Sequence, residues 1–271
     1  MNVLPTPPII ASALDLREAL LREIILAAGA VALKGFTGRS LETASMKGAQ
    51  DFLTETDGAV ERYLKERIAA AFPADGFLGE ESGHTSGDDL WVVDPIDGTA
   101  NFARGIPHFC ISIAFVSNAT IELGAIYNPG LDELHFTRRG RGATRNGKPI
   151  QVATTTDFDR ACVEFGWSTR IPNPIYLDAM SAILARGANI RRGASGALGL
   201  AFVADGRSDA YAELHMYPWD CLAGLLLVTE AGGVAAPFLE RDGLVNGGAV
   251  LAACPGIAKG ISEATGITLG A

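Results

Sequence analysis

The sequence predicts an α+β fold, on three observations. Residues up to about 71 carry helical periodicity. Residues 110–152 alternate apolar and polar side chains between turn signals. Beyond about residue 160, strand-like and helix-like patterns take turns. The 271 residues, 48% of them hydrophobic, are enough for a full core, as one large domain or two packed subdomains.

The elements follow in order. A first helix is predicted over 12–35, with Ser12 as its cap and Gly35 as its stop. A second covers 56–71, where Val60, Leu64 and Ile68 share one face, and Pro73 ends it. Phe77 and Leu78 lead into Gly79-Glu80-Glu81-Ser82. Trp91, Val92 and Val93 read as the end of a buried strand, after which Asp94 and Asp97 leave the sheet at a corner stiffened by Pro95. Gly98 permits the turn into a helix starting near Thr99. Strands are predicted over 110–116, where Ile111, Ile113 and Phe115 alternate, and over 121–127, 133–137 and 142–152. The Asn146-Gly147 pair reads as a hairpin turn. The second half reads as a strand at 161–165, helices at 176–186 and 198–204, and a strand at 208–213. A helix at 220–231 stopped by Gly232-Gly233 and a last strand at 250–253 complete it. The change of rhythm divides the chain into 1–155 and 156–271.

Charge narrows the function. The formal net charge is −9. Phosphate contacts dominate nucleic-acid affinity, so an acidic chain argues against nucleic acid as a partner. An anionic substrate is repelled too, unless local cations reverse the field. Cys110, Cys162, Cys221 and Cys254 are too scattered for a zinc clip and read as reduced thiols of a cytoplasmic protein. The first eight residues show no basic region followed by an apolar run, and no stretch is apolar enough to span a membrane.

Acidic residues recur at the edges of predicted elements. They are Asp51 and Asp57 before the second helix, Glu80 and Glu81 after Gly79, Asp94 and Asp97 after the buried strand, and Asp220 at a helix start. Each alone reads as a helix cap or a solvated loop. Converging carboxylates cannot all stay ionised without cations between them, and oxygen-only ligands select a hard ion such as Mg²⁺.

Together the motifs resemble the inositol monophosphatase family, part of the magnesium-dependent, lithium-sensitive phosphatases that include fructose-1,6-bisphosphatases. The matching blocks are Asp51-x-x-Thr54-x-x-Asp57, Gly79-Glu80-Glu81-Ser82, Asp94-Pro95-Ile96-Asp97-Gly98-Thr99-x-Asn101-Phe102 and Trp219-Asp220-x-x-Ala223-Gly224. Arg139-Gly140-x-Gly142-Ala143 and Thr229-Glu230-Ala231-Gly232-Gly233 extend the match.

The resemblance implies a layered αβαβα sandwich. It implies that Glu80, Asp94, the Ile96 carbonyl, Asp97 and Asp220 hold two or three Mg²⁺ ions. Glu80, Thr99 and Asp57 then activate the attacking water, Gly98 and Thr99 bind the phosphate, and Lys47 is a loop lysine near the third metal. Arg191-Arg192-Gly193-Ala194-Ser195-Gly196-Ala197 is similar to the family's substrate loop, with Ala194 where Gly is usual and Gly196 where Ala is usual. Ser195 and Glu213 are the implied substrate contacts, and Trp167 falls on the rim of the site. The expected function is Mg²⁺-dependent hydrolysis of a small polyol phosphate monoester, with inositol monophosphate favoured, by a cytoplasmic homodimer sensitive to lithium. Alternatives are an adenosine 3′,5′-bisphosphate nucleotidase or a histidinol-phosphate phosphatase. A regulatory partner of the transcription machinery is the alternative of another class.

Overall fold

The computed structural model describes residues 12–38, 45–48, 51–85 and 87–270, with only the backbone course at 45–48, 51–53 and 84–85. In chain order it forms α1 (Ala13–Gly38), β1 (Ser45–Gly48), β2 (Asp51–Leu53), α2 (Glu55–Ala71), β3 (Gly76–Gly79), β4 (Gly83–Thr85), β5 (Asp89–Asp97) and α3 (Thr99–Arg104). The strands β6 (Cys110–Ser117), β7 (Thr120–Asn128), β8 (Glu133–Arg138), β9 (Ala143–Arg145) and β10 (Lys148–Ile150) follow. Then come β11 (Cys162–Phe165), α4 (Asn173–Leu184), β12 (Asn189–Arg191), α5 (Gly196–Ala204), β13 (Ala210–Met216) and α6 (Pro218–Glu230). The chain closes with β14 (Val234–Ala235), α7 (Gly243–Asn246), β15 (Gly248–Ala253) and α8 (Pro255–Thr265).

Two sheets carry the fold. One has eight strands in the order β10-β9-β8-β7-β6-β5-β3-β4, antiparallel throughout except for the β3–β5 pair. The other has five, β12-β11-β13-β15-β14, with β12, β11 and β13 parallel and β15 antiparallel to both its neighbours.

Alternation along the strands sorts the core into layers. From β5 and β6, Trp91, Val93, Ile111, Ile113 and Phe115 pack with Leu21, Ile24 and Ile25 of α1 and Val60, Leu64 and Ile68 of α2. Leu90, Val92, Ala114 and Val116 face the other way, onto Leu200 of α5 and Leu222, Leu226 and Leu227 of α6. Tyr211, Val250 and Ala252 of the second sheet close on that same α5–α6 layer. Ala210, Ala212, Leu251 and Ala253 face α4 and α8 through Ile183, Ile257 and Ile261. The result is the αβαβα sandwich, with α5 and α6 as the filling between the sheets. Among the described residues no helix is long and apolar enough to cross a membrane.

Local chemistry explains most boundaries. Ser12 and Asp15 cap α1 reciprocally: the Ser12 N–H donates to Asp15 Oδ2 at 2.7 Å and the Asp15 N–H to Ser12 Oγ at 3.1 Å. Gly35, expected to stop α1, lies inside it. A Cβ there would sit 2.2 Å from Thr56 Oγ1, so this glycine serves the close approach of α1 to α2. The corner expected after Val93 is also corrected. The strand runs on to Asp97, and Pro95 lies in a bulge where Asp94 pairs with Ser112 and Asp97 with Cys110. The parallel partner β3 stops opposite Val93, so Pro95 owes that side no N–H. The 142–152 segment resolves into β9 and β10, with Asn146 and Gly147 both at positive φ (49° and 75°) as a tight hairpin requires.

Candidate active site

Every expected site residue with a described side chain, except Glu213 in the middle of β13, lies beside a strand end or a helix start. Asp57 is the third residue of α2, and Glu80 directly follows β3. Asp94, Ile96 and Asp97 form the last turn of β5, and Thr99 opens α3. Ser195 precedes α5, Glu213 lies on β13, and Asp220 is the third residue of α6. Lys47 falls on β1, with its side chain outside the described residues, as is that of Asp51.

Carboxylate oxygens of Asp94, Asp97 and Asp220 lie within 4.8 Å of one another. They meet because the bulged end of β5 faces the N-terminus of α6. Ser112 ties the two together: its hydroxyl donates to the Trp219 carbonyl at 3.0 Å. Backbone N–H groups orient the acids. Ile96 donates to Asp94 Oδ1 at 2.9 Å, and Tyr217 to Asp220 Oδ2 at 3.1 Å. Asp97 is held from the far side by the Ser195 hydroxyl at 2.6 Å and by the N–H groups of Ala197 and Gly196 at 2.8 and 3.2 Å. Ser195 lines the cleft as expected of a substrate contact, yet its hydroxyl proton is committed to Asp97.

A second group surrounds Thr99. Its hydroxyl lies 2.9 Å from the Ile96 carbonyl and 3.3 Å from Asp57 Oδ1. Asp57 in turn accepts from the N–H and hydroxyl of Thr54, which fixes its rotamer. Gly98 makes the turn at φ 93°, where a Cβ would press on the His108 carbonyl and on Ser195. Its left-handed backbone lets the chain pass from β5 into α3 beside the cleft, which Gly98 and Thr99 line.

Electrostatics show how costly this arrangement is without a counter-ion. Burial, followed by repulsion from Glu80, Asp97 and Asp220, pushes the Asp94 carboxyl well above the carboxylate range. Burial and Asp97 push Asp220 up to about 8. Burial raises Asp97 as well, against the pull of its donors, and lifts Asp57 to about 6. Such buried charges are stable together only when a cation offsets them. The donors are all oxygen, so the set fits a hard divalent ion and not a thiophilic one. Glu80 lines the same cleft and belongs to this field, although the tight trio does not include it.

The cleft encloses about 960 Å³ and opens between the end of β5, the loop before α5 and the start of α6. Glu213 stands in it beside Tyr211, whose hydroxyl donates to Glu213 Oε2 at 2.5 Å. Burial lifts Glu213 to about 7. Trp167 lines the rim, as expected.

Several contributors escaped the sequence reading. Asn101 Nδ2 donates to the carbonyls of His108 and Gly193, each at 2.8 Å, and so fastens α3 to the substrate loop. Cys110 Sγ lies 3.6 Å from Asp97. Arg170 and Arg192 line the cleft. Asn101 and Arg192 stand within the matched motif blocks, without a role read from them, and Ser112 is a polar residue inside the apolar alternation of β6.

Comparison with known proteins agrees with this architecture. The profile of the inositol monophosphatase family matches residues 14–265. The chain is 37% identical over 224 residues to the inositol-1-monophosphatase of Rhizobium meliloti, covering 81% of this chain and 84% of that protein. It is 35% identical over 237 residues to the Nus factor SuhB of Escherichia coli K12, covering 86% and 89%. Among solved structures, the extragenic suppressor protein suhB of Bartonella henselae superposes with a TM-score of 0.85 at 30% identity, covering 92% of this chain and 98% of that one. The inositol monophosphatase of Anabaena superposes at 0.81 with 33% identity, covering 93% and 96%. The match over nearly the whole chain, in sequence and in fold, makes this protein a member of the inositol monophosphatase family.

Proposed function

We propose that this phosphatase hydrolyses a small polyol phosphate monoester with Mg²⁺, and that inositol monophosphate is the favoured substrate. The observation that carries the reading is the buried trio Asp94, Asp97 and Asp220 in one cleft with Glu213. Asp94, Asp97, Asp220, Glu80 and the Ile96 carbonyl would hold the metal, two or three ions in all, and Lys47 would be the loop lysine assigned to the third. When bound, Mg²⁺ offsets the carboxylates and the substrate phosphate, acidifies a water and stabilises the leaving alkoxide.

The chain's own groups do the rest. Glu80, with the Thr99–Asp57 pair, accepts the proton of the attacking water, since the Thr99 hydroxyl is within reach of a carboxylate raised to about 6. The N–H groups of Gly98 and Thr99 bind phosphate oxygens. Ser195 keeps Asp97 in its orientation while its hydroxyl lone pairs face the substrate. Glu213, its rotamer set by Tyr211, accepts hydrogen bonds from substrate hydroxyls. In this reading residues 1–155 supply most metal ligands, and 156–271 supply Asp220 and the groups that select the substrate. Lithium sensitivity and a cytoplasmic homodimer complete the proposal; the four free cysteines are consistent with a reducing compartment.

Glu213→Ala tests the polyol assignment. Each charge-assisted hydrogen bond is worth about 1.5–3 kcal/mol. Efficiency on inositol monophosphate is expected to fall roughly ten- to a hundredfold, with little change on an aryl phosphate that has no hydroxyls. Equal losses on both would assign Glu213 to the metal site or the fold. Adenosine 3′,5′-bisphosphate and histidinol phosphate in the same panel test the competing substrates. The relatives named Nus factor SuhB favour a second, regulatory reading. Co-purification with the transcription machinery tests it, and its absence removes that reading.

A further inference from the structure

Helix α2 lays three polar side chains along the segment that carries Glu80. Asp57, Glu61 and Lys65 follow one another at four-residue spacing and so stand on one face of the helix. Asp57 serves the Thr99 hydroxyl. Glu61 is 2% exposed, and its Oε2 accepts the Glu81 N–H at 2.9 Å. One turn on, Lys65 Nζ donates to the Ser82 hydroxyl at 3.2 Å. The neighbourhood of Glu61 is already acidic, with Glu81 acting on Asp57 and Glu80 on Asp94. A further buried carboxylate adds to that repulsion, so its place there calls for a specific use.

That use is the backbone around Glu80. The Glu80 N–H donates to the Val93 carbonyl at 3.2 Å, and the next N–H along the chain, that of Glu81, goes to Glu61. The peptides on both sides of the Glu80 Cα are therefore pinned. One is tied to β5 directly before Asp94, the other to α2 one turn from Asp57. Only the torsions of its own side chain are left to the Glu80 carboxylate. Gly79 makes the approach possible, since a Cβ there would sit 2.6 Å from Glu61 Cδ. An ionised acceptor shielded from water gives this bond more strength than a neutral one at the surface.

We propose that Glu61 is a positioning residue for the reaction: by accepting the Glu81 N–H it holds Glu80 in the direction that the metal and the attacking water require. The proposal rests on the phosphatase reading above, in which Glu80 is both a ligand and a base.

Calorimetric titration of the whole chelated protein with Mg²⁺, beside kinetics on inositol monophosphate, tests it. Glu61→Leu keeps the bulk and removes the acceptor. It is expected to weaken Mg²⁺ binding and to lower kcat, each by about tenfold or more, with KM little changed. Glu61→Gln keeps an acceptor oxygen and is expected to stay within about threefold of the parent in both. Parent-like affinity and kcat in a folded Glu61→Leu protein would overturn the proposal, as would losses in Glu61→Gln as large as those in Glu61→Leu. Where Glu61→Leu does not fold, Gly79→Ala takes its place, because it displaces the carboxylate without removing it. The same losses are expected, and parent-like values again overturn the proposal. Glu80→Gln separates the proposal from the reading beneath it. If Glu80→Gln loses affinity and turnover while Glu61→Leu keeps them, the positioning role alone falls. If Glu80→Gln keeps both, the assignment of Glu80 falls and the positioning role with it. In the Glu80→Gln background, Glu61→Leu is expected to add little further loss, and a fully additive loss would mean that Glu61 does not act through Glu80.

Discussion

Asp97 shows how one residue's chemistry depends on distant parts of the chain. It ends β5, yet its carboxylate is oriented by Ser195, Gly196 and Ala197 from the start of α5. Those donors stabilise its ionised form against the burial that opposes it. Asp97→Asn keeps the shape and removes the charge. Turnover on inositol monophosphate is expected to fall by about 10²-fold or more, the usual scale for one electrostatic element of an active site. Wild-type turnover in a folded variant would contradict the role given to Asp97.

At the scale of elements, the joint between α3 and the substrate loop is the critical one. Asn101 spans it with one side-chain amide on the carbonyls of His108, Gly193 and Ala194, and Ala194 holds a left-handed φ of 57°. Asn101→Ala leaves these carbonyls without their donor, at a cost of about 1–3 kcal/mol. A lower melting temperature is expected, with a higher Mg²⁺ concentration for half-maximal activity because Ser195 no longer fixes Asp97. Unchanged Mg²⁺ dependence would confine Asn101 to a purely structural part. The acids at this joint were legible in sequence because Asp-Pro-Ile-Asp-Gly-Thr compresses strand end, turn and helix start into six residues. The amide staple was not, because its partners lie up to 93 positions away and are backbone atoms that carry no residue-type signal. Among the elements, α8 escaped notice because Gly256 and Gly260 interrupt its pattern, and its apolar face is only Ile257, Ala258 and Ile261. The short strands β3, β4, β12 and β14 lack the length for periodicity to register.

For the whole molecule, the layered order was legible only through motif resemblance. Alternation in β6 revealed a two-faced strand, but not which helices cover each face, since packing partners are set by topology and not by period. That topology brings the end of β5 and the start of α6 together and builds repulsion into the metal-free protein. Glu213, Asp57 and Asp220 are raised to about 7, 6 and 8, above their unfolded values near 4. The folded state thus retains protons that the unfolded chain has released, and these groups lower stability progressively as pH rises from about 4 to 8. The melting temperature gained on adding Mg²⁺ to chelated protein is therefore expected to be larger at pH 8 than at pH 5. A gain that is equal at both would contradict the shared carboxylate site. The most direct measurement is phosphate release from inositol monophosphate after exhaustive chelation and again after Mg²⁺ is restored. Release is expected to vanish on chelation and return with Mg²⁺, and full activity in the chelated protein would contradict metal-assisted hydrolysis at Asp94, Asp97 and Asp220.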